Sequence, residues 1–328
     1  PRCRAGGQGR RRAGSPSVHA MEPKERVLVV GATGYMGKRV VKASLALGHP
    51  TFVLWRPENA SDRHKCQALM GLKMQGAHIL LGSLDDHGSL VSALRQVDAV
   101  VCTIAADRIL QQLTLVEAIK QVGTIKRFLP SELGMDVDRM QHAVPPGDQM
   151  LADKRSVRRA VEDAGIPHTY VSANCFAGVF VAGLAQLATY APPRDRVVIH
   201  GTGDKRFIWV DEDDVATYAM MSLSDPRCVN KTLYLCPPRN NVTQLEMVRV
   251  WEHLLGKELE KTLLSPDEWL RTMQDEAPPE QVAVAHMYHI FYLGELDFEV
   301  KGPRGVTSND LYPHYKYVTA QEYLERFI

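Results

Sequence analysis

The sequence has little of what marks membrane, secreted or nucleic-acid-binding proteins. Its 328 residues include 39 basic and 38 acidic side chains, so it lacks the basic excess that attracts nucleic acid. It contains no apolar run near the ~18 residues of a membrane-spanning helix. The six cysteines form no CxxC pair, which disfavours a disulfide framework or a zinc site. We therefore expect no nucleic acid, membrane or metal partner, and a reducing, cytoplasmic location.

The first 20 residues differ in composition from the rest of the chain. Residues 1–20 contain five arginines and no acidic residue, and they lack the hydrophobic centre of a secretory signal. An Arg- and Ser-rich, acid-poor composition is also typical of organellar transit peptides. Because Met21 stands just before the first predicted strand, we expect residues 1–20 to be disordered or a non-native extension.

Short apolar runs alternate with amphipathic stretches between residues 25 and 173. The pattern predicts strands at 26–30, 51–55, 78–81, 98–103, 126–129 and 168–173, with helices at 38–47, 64–75, 86–96, 109–122 and 150–164. Such alternation indicates βαβ units and a parallel sheet, and right-handed crossovers then produce a doubly wound sheet. The fold class is therefore α/β, with a Rossmann-type domain over residues 21–173.

The alternation of short apolar runs and amphipathic stretches becomes irregular after residue 174. Helices are predicted at 242–255 and 280–292, among strands and loops of uneven length. We expect residues 174–328 to form mainly a smaller, mixed substrate-binding region, with some strands at about 195–235 returning to the first domain.

The segment GATGYMG follows the first strand and opens the first helix. In such a turn the first glycine allows a sharp bend, the second a close approach to pyrophosphate, and the third helix–sheet packing. A helix N-terminus also favours anions. This context predicts a dinucleotide site formed by Gly31, Ala32, Thr33, Gly34, Tyr35, Met36 and Gly37.

The end of the second strand indicates which dinucleotide binds. NAD enzymes usually carry an acidic residue there, whereas this strand ends in Trp55-Arg56. An arginine suits a 2′-phosphate, and Lys65 on the next helix would add a second charge. The sequence therefore predicts NADP(H) as the cofactor.

Lys154 is the candidate general base. The Tyr-x-x-x-Lys pair found in many reductases of this fold is absent, since Met150 stands four residues earlier. Lys154 lies near the start of the helix that follows the Pro130-Ser131-Glu132 strand end, which faces the ligand crevice in an open α/β sheet. Partial burial and the neighbouring Arg155 and Arg158 would lower its pKa. The alternative is a solvated, cationic helix face.

Several segments resemble a known enzyme group, in order along the chain. They are GATGYMG, residues 56–58, 128–136, 153–155, 170–178 and 208–215, and a terminal segment from residue 311. Together they resemble the plant phenylpropanoid reductases, which are similar to NmrA-like atypical short-chain reductases. The resemblance covers residues 25–328, and residues 134–136 and 209–214 look most like pinoresinol–lariciresinol reductases.

The resemblance implies an NADPH-dependent reductase of small phenolic substrates, working as a homodimer, with Lys154 as general base. It places cofactor contacts on the glycine loop, Arg56, Lys65 and Arg158, and substrate contacts on His286, Asn174 and Phe176. The expected reaction is benzylic ether opening of pinoresinol or lariciresinol. Isoflavone and phenylcoumaran benzylic ether reduction are alternatives, as is an NmrA-like NADP-binding regulator without turnover.

The chain departs from the group's pattern at two places. Leu133 stands where the group has an aromatic residue, and the segment 103–107 is shorter than the group's loop and lacks its glycines. Both places are expected near the nicotinamide and the substrate, so they bear on which substrate is reduced.

Overall fold

The computed structural model describes residues 24–328, so the predicted extension at 1–20 lies outside the described residues. The strands are β1 Val27–Val30, β2 Thr51–Trp55, β3 His78–Leu81, β4 Ala99–Cys102, β5 Arg127–Leu129, β6 Thr169–Ser172, β7 Cys175–Phe176, β8 Arg196–His200, β9 Arg206–Val210, β10 Lys231–Tyr234, β11 Asn241–Thr243, β12 Glu260–Leu264 and β13 Gly305–Thr307. The α-helices are α1 Tyr35–Ala46, α2 Arg63–Met74, α3 His87–Leu94, α4 Gln112–Val122, α5 Gly147–Asp163, α6 Ala177–Phe180, α7 Glu212–Ser224, α8 Gln244–Leu255, α9 Pro266–Thr272, α10 Pro278–Phe291, α11 Ser308–Leu311 and α12 Ala320–Leu324.

The first sheet is parallel throughout and has the order β3-β2-β1-β4-β5. Every residue of β1 and β4 is buried, as expected for strands covered on both faces. In β1, Val27 and Val29 pack towards α1, α2 and α7, whereas Leu28 and Val30 pack towards α3, α4 and α5. The predicted Rossmann-type α/β fold is therefore confirmed.

Three later strands extend this arrangement. Strand β6 meets β5 through an isolated parallel bridge between Phe128 and His168, and β10 and β13 follow it in the order β13-β10-β6. Of the strands within the predicted range 195–235, β10 returns to this part of the molecule, whereas β8 and β9 pair elsewhere. Strand β13 also returns, although it lies in the region assigned to substrate binding.

The remaining strands and the last helices build a second core. Strand β9 pairs with β7 and β11, and β8 pairs with β12. Trp209, Trp251 and Phe291 are fully buried there and join α8, α10 and α12 to β9. Among residues 24–328 we find no helix whose length and hydrophobicity would carry it across a bilayer.

Candidate active site

The glycine turn brings the backbone of β1, α1 and the β4 loop close together. Gly31 has a φ of +82°, and a β-carbon on it would lie 2.7 Å from the carbonyl oxygen of Thr103. Gly34 is the N-cap of α1 and has no capping side chain, and the first turn of the helix carries no acidic residue. The N–H groups of this turn are thus available to an anion, which the helix dipole favours. These residues fit a dinucleotide phosphate.

A first cavity of about 300 Å³ lies at the carboxyl ends of β1, β2 and β4. It is lined by Gly31–Gly34, Arg56, Lys65 and Thr103–Ala105, among others. The cations Arg56 and Lys65 converge there on Oδ1 of Asn59, at 3.5 and 3.4 Å. Two cations beside the glycine turn suit a phosphorylated ribose. Asn59, which orients both, carried no signal in the sequence.

A second cavity of about 400 Å³ adjoins the first and shares Gly34 and Thr103–Ala105 with it. It brings together the predicted base and the three predicted substrate residues from distant parts of the chain: Lys154, Asn174, Phe176 and His286. Most of the remaining wall is apolar and includes Met135, Met150, Phe180 and Ile290. An apolar cavity with a few polar groups is typical of a small-molecule site.

Lys154 is a buried lysine, with only 7% of its surface exposed. Its Nζ atom donates to the main-chain carbonyl oxygen of Glu132 at 3.2 Å. Burial lowers the pKa of Lys154, and the Arg158 guanidinium acts in the same direction, whereas the Glu132 carboxylate raises it. The alternative of a solvated lysine is therefore wrong. The predicted help from Arg155 is also wrong, because that side chain turns away and donates to the carbonyl oxygen of Val137 at 2.9 Å.

His286 lies in the wall of the same cavity as a neutral imidazole. Its Nε2 atom donates to the carbonyl oxygen of Gly147 at 3.1 Å, so Nδ1 is the acceptor of the neutral ring. Burial lowers the pKa of His286 to about 4, and the charge of Lys154 contributes. Gly147 permits this approach, since a β-carbon there would lie 2.9 Å from the imidazole.

Asn174 holds an acceptor without a partner. Its Nδ2 atom donates to the carbonyl oxygen of Leu235 at 2.9 Å, which fixes the orientation of the amide. Within residues 24–328, the buried Oδ1 atom accepts no hydrogen bond. Because buried polar atoms are nearly always paired, this oxygen still needs a donor that residues 24–328 do not supply.

Comparison with known proteins shows the family to which the chain belongs. A profile of the NmrA-like family matches residues 23–324. The chain belongs to the NmrA-like family. It is 50% identical over 313 residues to bifunctional pinoresinol-lariciresinol reductase 2 of Thuja plicata, covering 94% of this chain and 100% of that protein. An isoflavone reductase homolog of Lupinus albus is 49% identical over 311 residues, covering 93% of this chain and 99% of that protein.

Solved structures include similar chains. A structure of AtPrR2 with NADP+ and (+)pinoresinol superposes with a TM-score of 0.90 at 47% identity, covering 93% of this chain and 99% of that chain. A crystal structure of isoflavone reductase has a TM-score of 0.86 at 36% identity, covering 93% and 100%. The similarity therefore extends over 93% of this NmrA-like chain.

Two predicted cofactor residues of this NmrA-like protein lie outside both cavities. Gly37 lines neither cavity, and it allows α1 to pack against the glycine turn. Arg158 is also absent from both walls, and its guanidinium instead pairs with Glu132 and Asp136. The structure thus does not bring Arg158 to the cofactor cavity, because acidic side chains already surround it.

Tyr35 at the start of α1 is connected to α6 and α7 by hydrogen bonds. Its hydroxyl donates to Oε1 of Glu212 at 2.7 Å, and the N–H of Gly178 donates to the same oxygen at 2.9 Å. Tyr35 and Met36 both line the second cavity. Glu212 was not among the residues predicted from the sequence, because nothing local marks a partner 177 residues away.

Both departures from the phenylpropanoid reductase pattern lie at the second cavity. Leu133 lines it, and the shortened segment 103–107 supplies wall to both cavities. That segment is anchored by Thr103 Oγ1, which donates to the Val30 carbonyl, and by Ser131 Oγ, which donates to the Ile104 carbonyl, each at 2.9 Å. An anchored loop therefore forms the wall that the two cavities share.

A histidine cluster lies apart from the residues that line the two cavities. His142, His289 and Glu295 are close enough to hold a metal ion. His289 Nε2 accepts from the Val144 N–H at 2.9 Å, so its Nδ1 carries the proton donated to Glu295. Glu295 also pairs with His142. The ring atoms of His289 are thus already used in hydrogen bonds.

Proposed function

We propose that this NmrA-like protein is an NADPH-dependent reductase of pinoresinol- and lariciresinol-type lignans, with Lys154 as general base. One observation carries the proposal: a buried lysine faces an apolar cavity that adjoins the glycine-turn cavity. The similarity to bifunctional pinoresinol-lariciresinol reductases supports the substrate class. The similarity to a chain solved with NADP+ and (+)pinoresinol supports both ligands.

The first cavity is proposed to hold NADP(H). The glycine turn and the N-terminus of α1 would bind the pyrophosphate, and Arg56 and Lys65 would bind the 2′-phosphate. When bound, NADPH supplies the hydride that reduces the substrate. The shared wall at Gly34 and Thr103–Ala105 would let the two ligands meet.

Lys154 is proposed to accept the proton of the substrate's phenol. A phenol has a pKa of ~10, and a neutral amine of lower pKa than an ordinary lysine is available as a base closer to neutral pH. The resulting phenolate would push electrons through its ring and break the benzylic C–O bond, which leaves a quinone methide and an alkoxide. The alkoxide would take up a proton from solvent, the benzylic carbon would accept hydride from the bound NADPH, and the restored phenolate would take back the proton held by Lys154. Burial of Lys154 keeps water from competing for the phenol.

The other polar groups of the cavity would orient the substrate and the nicotinamide. The Nδ1 atom of His286 can accept from a substrate hydroxyl. The unpaired Oδ1 of Asn174 can accept from an amide or hydroxyl donor. Phe176 and Phe180 offer aromatic faces to a phenolic ring.

An isoflavone or phenylcoumaran benzylic ether reductase remains the alternative enzyme. The similarity to the Lupinus albus isoflavone reductase homolog favours it. Leu133 and the short loop depart from the pattern of the whole group, so they do not distinguish among these substrates. For an isoflavone the hydride would add to a conjugated alkene. A regulator without turnover would have no need of the buried Lys154 in the cavity wall.

We also propose that the protein works as a homodimer in the cytoplasm, as its resemblance to phenylpropanoid reductases implies. The free thiols Cys66, Cys102, Cys175, Cys228 and Cys236 suit a reducing compartment. Light scattering of the purified protein tests the homodimer, and a fluorescent fusion in plant cells tests the cytoplasmic location.

The test of function is an assay with NADPH and racemic pinoresinol, beside an isoflavone and a phenylcoumaran. We expect the wild type to reduce pinoresinol, and Lys154→Ala to bind NADPH without turnover. If NADPH binds but none of the three substrates is reduced, the proposed substrate class is wrong. If Lys154→Ala keeps the wild-type rate, the proposed base is wrong.

A further inference from the structure

Arg158 lies one helical turn after Lys154 on α5 and is 1% exposed. Its Nη2 and Nε atoms donate to Oε2 of Glu132 at 2.7 and 3.1 Å. Its Nη1 atom donates to Asp136 at 2.8 Å and to Asp138 at 2.9 Å. Every nitrogen of the guanidinium therefore has an anionic partner, in the geometry of strong charge-assisted hydrogen bonds.

The far side of this network is anchored to the sheet. Tyr234 on β10 donates to Oδ2 of Asp136 at 2.6 Å. Tyr170 on β6 lies with its ring 4.4 Å from the Arg158 guanidinium, and its hydroxyl lies 3.2 Å from the Arg158 carbonyl oxygen. The position of Arg158 is thus fixed from two strands as well as from its own helix.

Glu132 connects this network to the candidate base. Its carboxylate is held by Arg158, while its main-chain carbonyl accepts the hydrogen bond from Lys154 Nζ. The residue is 2% exposed, so neither group is solvated. Lys154 therefore has a neutral oxygen as its hydrogen-bond partner, although a carboxylate of the same residue lies nearby.

We propose that Arg158 is a positioning residue for Lys154: it holds the Glu132 carboxylate away from the amine and leaves Lys154 with a neutral partner. The importance of this for catalysis rests on the proposed role of Lys154 as base. A buried carboxylate released from Arg158 would attract the ammonium form of Lys154. Without Arg158, Lys154 would carry a proton at the pH where it must accept one.

The titratable groups that face Lys154 come from three parts of the chain. Glu132 follows β5 and raises the pKa of Lys154, whereas Arg158 on α5 lowers it, in addition to the larger effect of burial. His286 on α10 faces the same cavity, and its low pKa keeps it neutral near pH 7. Among the charged side chains, Glu132 and Arg158 therefore determine how readily Lys154 is protonated near neutral pH.

The test is the pH dependence of Lys154 acetylation by trace acetic anhydride, measured on full-length protein by mass spectrometry. Arg158→Met should move the titration midpoint of Lys154 upwards by about one pH unit or more. Arg158→Met combined with Glu132→Gln should bring it back. Arg159→Met is the matched control, because Arg159 is an exposed neighbour that pairs with Asp138, and its midpoint should equal that of the wild type.

A second variant covers the case in which Arg158→Met does not fold. Glu132→Gln alone removes the anion and keeps the main-chain carbonyl, so the Lys154 midpoint should move to lower pH. The inference is overturned if a folded Arg158→Met protein keeps the wild-type midpoint. It is equally overturned, where Arg158→Met does not fold, if Glu132→Gln leaves the midpoint in place.

The same variants separate this inference from the proposed function. Acetylation requires no turnover, so a shifted midpoint in a protein that reduces none of the lignans supports the positioning role and refutes the activity. Normal lignan reduction with an unshifted midpoint refutes the positioning role alone. In an active enzyme, the acidic limb of the kcat/KM profile should move with the acetylation midpoint, which a purely structural role for Arg158 would not produce.

Discussion

A β-carbon on Gly37 would lie 2.1 Å from the carbonyl oxygen of Gly31. The start of α1 and the turn that precedes it can therefore pack only when residue 37 has no side chain. Since the same turn forms the wall of the cofactor cavity, a residue that does not line the cavity still determines its shape.

We predict that Gly37→Ala destabilises the protein by ~1–3 kcal/mol, as for an overpacked core, and weakens NADPH binding. Gly71→Ala on α2 is the matched control, because no atom lies within 4 Å of its added β-carbon. That control should stabilise the protein by roughly 0.5–1 kcal/mol, since alanine favours a helix over glycine. For both variants, urea unfolding measures the stability and titration with NADPH measures the affinity. Equal effects of the two substitutions would contradict the packing role of Gly37.

The second prediction concerns cofactor choice. Arg56→Ala and Lys65→Ala each remove a cation from the first cavity, so each should raise the Kd of NADPH by about 10–100-fold, the size of one charge-assisted hydrogen bond. Affinity for NADH, which has no 2′-phosphate, should change little. Fluorescence titration measures both constants. Lys73→Ala is the control, because Lys73 lies at the exposed end of α2, the helix that carries Lys65, and both dissociation constants should stay unchanged. If Arg56→Ala or Lys65→Ala weakens NADH binding as much as NADPH binding, recognition of the 2′-phosphate is ruled out.

The third prediction is the pH dependence of catalysis. Only neutral Lys154 accepts a proton, so kcat/KM should be low at acidic pH. It should rise as the pH passes through the pKa that Lys154 has in the folded protein. Because burial lowers that pKa below its ordinary value, the rise should occur at lower pH than for a solvated lysine. Initial rates across a pH series measure it. A rate that is flat with pH in the absence of another slow step would argue against a lysine base.

The fourth prediction concerns stability in acid. His200 is 1% exposed, its Nε2 atom donates to the Ala185 carbonyl at 2.8 Å, and burial lowers its pKa to about 4. A histidine whose folded pKa lies below its unfolded pKa of ~6.5 stabilises the fold above pH ~6.5 and loses this contribution as the pH falls through the folded pKa. The loss should be about 3 kcal/mol at most, at ~1.4 kcal/mol per unit of pKa shift.

Urea unfolding at pH 7 and pH 4.5 measures this loss. His200→Gln should show a smaller difference between the two pH values, whereas His64→Gln, at an exposed position on α2, should match the wild type. If His200→Gln keeps the full difference, the acid sensitivity arises elsewhere in the protein.

Local patterns in the sequence were sufficient for the first half of the fold. The apolar runs of β1 and β4 and the glycine turn are each signals contained within a few neighbouring residues. The structure has β1 and β4 within one residue of the predicted bounds. Strand β13 was not predicted, because a three-residue Gly-Val-Thr strand carries no periodicity. Its position depends on pairing with β10, which is a tertiary contact.

Some features of the candidate site were likewise predicted from the sequence, and others required the structure. Lys154, Asn174, Phe176 and His286 were predicted and line one cavity. His286 and His289 lie on the same helix, and only the structure distinguishes them: His289 bonds to Glu295 and the Val144 N–H instead of lining the cavity.

Residues that hold other side chains in place were missed or misassigned. Asn59 orients Arg56 and Lys65, and Glu212 joins Tyr35 to Gly178. The partners of Asn59 lie three and six residues away, but no sequence pattern shows that its amide contacts both cations. The partners of Glu212 lie 177 and 34 residues away, beyond any local pattern. Arg158 was expected at the cofactor because of the resemblance to the phenylpropanoid reductases, but its contacts are set by acidic residues that precede α5.

The most direct test of the central claim is single-turnover reduction of pinoresinol by the NADPH-loaded protein, comparing wild type with Lys154→Met. Methionine keeps most of the side-chain volume and removes the basic group, so NADPH affinity should stay unchanged. The rate of NADPH oxidation should fall by ~10²–10⁴-fold, the usual contribution of a general base. A Lys154→Met protein that oxidises NADPH within a few-fold of the wild-type rate would contradict the assignment of Lys154 as the base.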